Sequence, residues 1–469
     1  MFTSTFMFTH DKPLYEQLYE FMVKEIMNGS LKNGEKVPSK RVLASHLKVS
    51  QNTVETAYEL LVAEGYLRAV ARSGFYVCTP DQSSWPIKND VVFPESEEET
   101  RTDVLDYRYN FGTNIVDTNF FPYSTWTRIV KDITSYNRDL LNHGHPQGDL
   151  CLREAITKYL HEFRGMVCSP DQIVIGAGVE YLIGLIVQIL GKSVTVGFEN
   201  PGYYKSYNII SNNDVKIDLI GLDENGMKVD LLERSEANVA YITPSHQFPT
   251  GVIMPIGRRI QLLNWANGSD DRYIIEDDYD SEFRFNGRPI PALEGLDLND
   301  KVIYLSTFSK SIAPSIRIAY TVLPRRLLSV YKKNFSFYSS TVSRFEQHCL
   351  YKFIQDGHFS RHLNRMKNIY RSRKDRLVEC LKGSKGADMI TIIGENTGLH
   401  LMTRVENGMK EEELVRSAGN VGVKLYGLSR YYIEDNGDIP EATVILGYSG
   451  FELEEISDAV KALERAWFV

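Results

Sequence analysis

Two short runs in this sequence carry side chains that could act together on one small molecule. The first, Glu276-Asp277-Asp278-Tyr279-Asp280, follows the apolar run Tyr273-Ile274-Ile275. The second, Ser306-Thr307-Phe308-Ser309-Lys310, follows Val302-Ile303-Tyr304-Leu305. Each apolar run has the length and composition of a buried strand. Ligands in open α/β sheets bind at the carboxyl ends of strands, so both runs should face one crevice. A lysine behind small hydroxyl residues can form a Schiff base with an aldehyde cofactor while Thr307 and Ser309 hold a phosphate. A carboxylate on the neighbouring strand can keep a pyridine nitrogen protonated, and Asp277 is placed for that role. Tyr279 could hydrogen-bond a phenolic oxygen on the same ring. Arg317, seven residues past Lys310, could pair bidentately with phosphate. Gly176-Ala177-Gly178 stands at a strand-to-helix turn, where the backbone of Ala177 and Gly178 and a helix N-terminus would meet the same anion. Aldehyde, pyridine nitrogen, phenolic oxygen and phosphate together describe pyridoxal 5'-phosphate (PLP). Each feature alone has a plainer reading, since a strand-end lysine is more often solvated and Gly-Ala-Gly is more often a tight turn. Their conjunction is specific.

The elements that must position these groups alternate in type. Gln172-Ile173-Val174-Ile175 reads as a strand, and a long apolar helix follows from about Val179 to Leu190. Further strands are legible at Val194–Phe198, Val239–Thr243, Tyr273–Ile275 and Val302–Leu305. Such alternation predicts an α/β fold, a mainly parallel sheet with helices on both faces. From about Phe335 the pattern is strongly helical, and after Ile390 it mixes short strands and helices, as a smaller C-terminal lobe would.

A different pattern precedes this. Tyr15, Leu18, Met22 and Ile26 recur at helical spacing between Pro13 and Gly29. Ser39 can cap a short second helix carrying Val42, Leu43 and Leu47, and Ser50 a third with Val54, Ala57 and Leu61 on its buried face. Tyr66–Val70 and Phe75–Val77 read as a hairpin. Helix, helix-turn-helix, hairpin is the order of a winged helix. The third helix opens with Ser50, Gln51, Asn52 and Thr53, polar groups able to contact bases or phosphates in a major groove. Lys40 and Arg41 lie just before it, and Arg72 sits on the wing, so positive charge gathers where a phosphate backbone would run. Between Thr79 and Asp106 the chain turns Pro- and Ser-rich, then acidic, as an exposed linker does. The domains expected are therefore a winged helix over 1–78, a linker over 79–107 and a ligand-binding domain over 108–469.

Composition sets limits on function. At 469 residues the chain has length for about three units of roughly 150 residues. A net charge of -8 excludes a chain that coats nucleic acid along its whole length, yet leaves room for a local basic module. Met1 to His10 is apolar but has no basic residue ahead of it, so it does not read as a signal peptide. No apolar run approaches the roughly 18 residues of a membrane span, so no membrane partner is expected. The five cysteines are scattered and odd in number, which fits reduced thiols and a cytoplasmic location. No CxxC pair supports zinc, and His143 and His145 lack an evident third ligand, so no metal is expected.

Several segments resemble known families. Val37-Pro38-Ser39-Lys40-Arg41, Leu47 to Val54, and Glu64-Gly65-Tyr66-Leu67 resemble the GntR-type winged helix over roughly residues 12–78. Gln51 stands where that family commonly has arginine, so a different operator sequence is expected. From about 108 to 465 the chain looks like a fold type I PLP-dependent aminotransferase. His145-Pro146-Gln147-Gly148, followed by Leu152-Arg153-Glu154-Ala155, is similar to that family's substrate-side segment. Pro244 to Gly251 resembles its Asn-Pro-Thr-Gly turn, with Phe248 where the enzymes have asparagine, and Tyr203 is the aromatic expected to stack on the PLP ring. A winged helix linked to such a domain is the arrangement of the MocR/GabR regulators. This resemblance implies a head-to-tail homodimer on a double-stranded DNA operator, and an amino acid or amine effector that displaces Lys310 by aldimine exchange. In GABA-responsive members two arginines bind the effector's carboxylate. Arg430 matches one, whereas the other position is Lys205, a point charge rather than a planar fork. Three functions compete on this basis: an effector-sensing transcription regulator, a PLP-level sensor controlling vitamin B6 synthesis, and a working aminotransferase with a DNA-binding appendage. Phe248 argues against the third, and the first is preferred, with at most a residual transaminase half-reaction.

Overall fold

The computed structural model describes residues 6, 8–9, 12–79, 107–113, 115–285, 290–395, 398–435 and 439–468. Contacts divide these into an N-terminal and a C-terminal unit. The linker expected over 79–107 lies, apart from its two end residues, outside the described ones.

In the N-terminal unit, helix Leu14–Met27 follows Pro13 and buries Leu18, Met22 and Ile26 completely. Tyr15, expected on that stripe, stays 37% exposed. Gln17 takes the buried place in its turn, with its carboxamide bonded to the backbone of Thr9 and Lys12. Helix Lys40–Leu47 starts on the Ser39 hydroxyl, which accepts the Val42 N–H. Leu43 and Ala44 face the core there, while Val42, expected inside, is 48% exposed, because a two-turn helix lying on its neighbour buries only a narrow stripe. Helix Gln51–Ala63 is capped by Ser50 and buries Val54, Ala57, Tyr58 and Leu61. Strands Leu67–Val70 and Gly74–Val77 pair antiparallel, Leu67 opposite Val77, and close the same core. This is a winged helix.

The C-terminal unit is built on an eight-stranded sheet. Its centre runs Val302–Thr307, Tyr273–Asp278, Val239–Ile242, Thr195–Asn200 and Lys216–Asp223, all parallel. Ala319–Val322 and Ile173–Gly176 extend one edge antiparallel, and Gly226–Met227 the other. Three of these strands, Lys216–Asp223, Ala319–Val322 and the two-residue Gly226–Met227, are additional to those read from the sequence. The first alternates Lys, Asp and apolar residues and is only partly buried, and the second is four residues long. The apolar helix forms over Val179–Leu190, one face on the sheet and its other neighbours also buried. A smaller lobe has a four-stranded antiparallel sheet, Ile390–Ile393, His400–Val405, Thr443–Gly447 and Tyr426–Gly427. Helices His358–Lys382 and Leu453–Phe468 join its core. The fold is thus a winged helix plus an α/β unit with a mixed, mainly parallel sheet and a smaller lobe. Among the described residues, no helix is long and apolar enough to cross a membrane.

Candidate cofactor site and nucleic-acid-contacting face

Register decides which side chains meet. Leu305 lies opposite Asp277 and Ser306 opposite Asp278, so both chemically loaded runs leave the sheet side by side. Successive residues of a strand point to opposite faces. Asp277 therefore faces a cavity of about 260 Å³ at the strand ends, while Glu276 and Asp278 face the other way. There Asp278 meets the Arg164 guanidinium at 2.9 Å and accepts from the Tyr304 hydroxyl. Glu276 accepts the backbone N–H groups of Leu293 and Glu294. These partners hold the strand end in place from behind.

Within the cavity, Asp277 is 6% exposed. One carboxylate oxygen accepts from the Tyr241 hydroxyl, with the Ser206 hydroxyl 3.0 Å from that same tyrosine oxygen. The other oxygen, Oδ1, is buried with no hydrogen-bond partner among the described residues. Buried polar atoms are nearly always paired, and this one lies at the cavity, where a donor could pair it. Burial pushes the Asp277 carboxyl up to about 7, the Tyr241 bond opposing and the charges of Asp278 and Asp280 adding. Lys310 enters from the adjacent strand end, its Nζ donating to the Thr113 carbonyl at 3.1 Å. Burial pushes its ammonium down to about 8, against the pull of Asp280 and with the help of Lys205. The Tyr279 hydroxyl lies 2.9 Å from His246 Nδ1, which is also 2.9 Å from Asp280 Oδ2. Burial raises the Tyr279 phenol well above its ordinary value, so it stays protonated.

Tyr203, Thr307, Ser309, Arg317 and Lys205 also line the cavity. The Ser309 N–H donates to Thr307 Oγ1 at 3.1 Å, and the two hydroxyls are 3.0 Å apart. Arg317 pairs with Glu180 at 2.6 Å. Phe248 stands edge-on to Tyr203, ring centroids 5.4 Å apart at 84°, so this part of the cavity wall is apolar.

Three expected site residues are placed differently. The Ala177 N–H is engaged by Thr341 Oγ1 at 2.9 Å and the Gly178 N–H by the Gly176 carbonyl at 2.8 Å. The cavity wall is formed instead by Val179 and Glu180, the first residues of the helix. Gly178 still matters through its backbone, with φ +95° and a Cβ position 2.2 Å from Arg317 Nη2, a place only glycine fills. Among the described residues, Arg430 is not part of the wall. It is exposed, its guanidinium 4.7 Å from the Tyr426 ring. The short turn Ser429–Tyr431 points Tyr431 inward instead, onto Phe248 at 5.1 Å. Sequence reasoning missed Thr113, Tyr241 and His400. Tyr241 offered a signal, a hydroxyl within an apolar strand that ends at the crevice. Burial holds the His400 imidazole down at about 3, His246 adding to the effect and Asp280 opposing it, so it is neutral.

In the N-terminal unit, Ser50 and Thr53 satisfy each other, hydroxyls 2.8 Å apart, with the Thr53 N–H on Ser50 Oγ. Gln51 and Asn52 are left exposed at the start of the helix. Arg41 is exposed, as is Arg72, which sits at φ +62° in the hairpin turn. Lys40 differs: its Nζ is tied to Glu55 at 2.7 Å and lies 5.5 Å from the Phe75 ring.

Fold and site together define a DNA-binding regulator built on an aminotransferase scaffold. Residues 14–77 match the model of the bacterial regulatory proteins of the gntR family, and residues 109–429 that of aminotransferase class I and II. The chain is 39% identical to the uncharacterized HTH-type transcriptional regulator YdeL of Bacillus subtilis, over 98% of both chains. It is 32% identical to the probable rhizopine catabolism regulatory protein MocR of Rhizobium meliloti, over 97% of this chain and 94% of that one. The crystal structure of Pyrococcus horikoshii kynurenine aminotransferase in complex with PMP superposes with a TM-score of 0.66 at 25% identity, over 77% of this chain and 90% of that one. The chain belongs to the MocR family of transcriptional regulators, in which a GntR-type helix-turn-helix precedes an aminotransferase-like domain.

Proposed function

We propose that this regulator holds PLP at Lys310 and reads an amino acid or amine that competes for the cofactor's aldehyde. The observation that carries the reading is the unpartnered, buried Asp277 Oδ1 facing the same cavity as Lys310. A pyridine N–H fits that oxygen. Lys310 with a depressed ammonium suits the aldehyde, Tyr279 the phenolic oxygen, Tyr203 the ring face, and Ser309, Thr307 and Arg317 the phosphate. PLP would supply an electrophilic carbon that binds amines reversibly. The protein's own residues do the rest. Asp277, kept in place by Tyr241, would hold a proton on the ring nitrogen. Phe248, Tyr203 and Tyr431 keep water from one side, and Lys205 offers a positive charge to the effector's acid group. A GABA-like molecule suits that charge.

Residues 1–78 would bind the operator, 79–107 link the units, and 108–469 bind cofactor and effector, in a head-to-tail homodimer. A ligand shifts such a system only through unequal affinity for its two arrangements. The exposed position of Arg430 favours a second reading, in which PLP itself is the signal. The test is a spectral screen of amines and amino acids against PLP-loaded protein and its Lys310→Ala variant. The first reading requires a Lys310-dependent band near the visible edge that physiological effector concentrations alter. A band indifferent to every amine leaves the second reading, and a band that survives Lys310→Ala overturns both.

A further inference from the structure

Glu180 stands on the phosphate side of the cavity, in the first turn of helix Val179–Leu190. Its carboxylate pairs with Arg317 at 2.6 Å, and both side chains are close to half exposed, 43% and 48%. The pair rests on the glycine turn: a Cβ on Gly178 would stand 2.2 Å from Arg317 Nη2 and 2.9 Å from Glu180 Oε2. Lys205 lies close enough to add its charge. Although burial works to raise it, the Arg317 bond and these charges hold the Glu180 carboxyl below its ordinary range. It is ionised at neutral pH.

An anion therefore already occupies the guanidinium that the cofactor reading gives to phosphate. A dianionic phosphate brought to Arg317 must share the fork with Glu180 or displace it, and like charges within a few ångströms repel. We infer that Glu180 sets how tightly this chain holds the phosphate of its cofactor, by competing with that phosphate for Arg317. The inference rests on the cofactor reading above and extends it: PLP binding here is weakened on the phosphate side and hence exchangeable. A glutamine at this position would keep the shape and remove the competing charge.

The test uses full-length protein stripped of cofactor, wild type and Glu180→Gln, titrated with PLP and separately with pyridoxal. Pyridoxal has the ring and the aldehyde but no phosphate. The expected result is PLP binding tighter in the variant by up to roughly fivefold, the factor set by the upper end of exposed ion-pair energies, with pyridoxal affinity unchanged. Added salt should narrow the PLP difference. Unchanged or weaker PLP binding overturns the inference, as does equal tightening of both ligands, which would reflect a general change in the cavity. Wild-type protein that shows no Lys310-dependent uptake of either ligand removes the cofactor reading itself, and this inference with it.

Discussion

Replacing Asp277 with asparagine should strengthen the cofactor-free fold and weaken PLP binding, two opposite effects from one atom. The Asp277 carboxyl is raised from 3.8 to about 7 by burial, Tyr241 opposing and Asp278 and Asp280 adding. At about 1.4 kcal/mol per pH unit, that gap is on the order of 4 kcal/mol between its two protonation states. The folded value lies above the unfolded one, so the fold retains a proton that the unfolded chain releases. Stability is therefore lost as pH rises from about 4 to about 7, and is level above that. Asp277→Asn removes the ionisable group while its amide oxygen still accepts from Tyr241. The carboxamide NH2 then takes the buried, unpaired place of Oδ1, at a cost of about 1–3 kcal/mol, so the recovery is smaller than the full gap, on the order of 2 kcal/mol. Thermal melts of stripped protein at pH 5, 6, 7 and 8 would show the variant gaining over wild type by several degrees at pH 8 and by little at pH 5. With PLP the sign reverses. Losing one partner of a buried charged pair costs about 3–5 kcal/mol, so PLP should bind at least about a hundredfold more weakly. A variant less stable than wild type at pH 8 without PLP, or one that binds PLP equally well, would refute the reasoning.

Lys310 adds to an aldehyde only as a neutral amine, and burial lowers its ammonium to about 8. The rate of PLP uptake should climb with pH and level off just above 8, whereas a solvated lysine would still be gaining at pH 10. Uptake followed by absorbance decides this. Arg41→Ala should weaken binding to all DNA sequences alike and reduce the slope of log affinity against log salt by about one. Gln51→Ala should instead change base preference at one position, by about 1–3 kcal/mol, and an operator-variant binding series separates the two. Lys205→Arg gives the wall a planar fork, so an effector with an acid group should bind several-fold tighter in spectral titration, while a simple alkylamine should not.

Much of this molecule can be read from its sequence because its signals are local. The strand behind Lys310 and the one behind Asp277 are apolar runs that stop at polar clusters, and the crevice rule then places both at one sheet end. The winged helix is legible for the same reason: Ser39 and Ser50 declare helix starts, and the stripe of Leu18, Met22 and Ile26 has only one way to be buried. Strand Lys216–Asp223 escapes because its polar-apolar alternation holds only from Lys216 to Leu219 and breaks at Ile220, too short a run to declare a strand. What the sequence leaves open is pairing. Glu180 and Arg317 lie far apart in the chain, yet meet at 2.6 Å, and Lys40, grouped with Arg41 by adjacency, is drawn instead to Glu55. Arg430 matches an effector arginine by local context, but the turn that carries it sends Tyr431 inward. Charge is therefore a poor guide to role until the fold supplies its partner. The cavity's chemistry depends less on which ionic residues are present than on which of them, like Asp277 Oδ1, the fold buries at the cavity with no partner among the described residues.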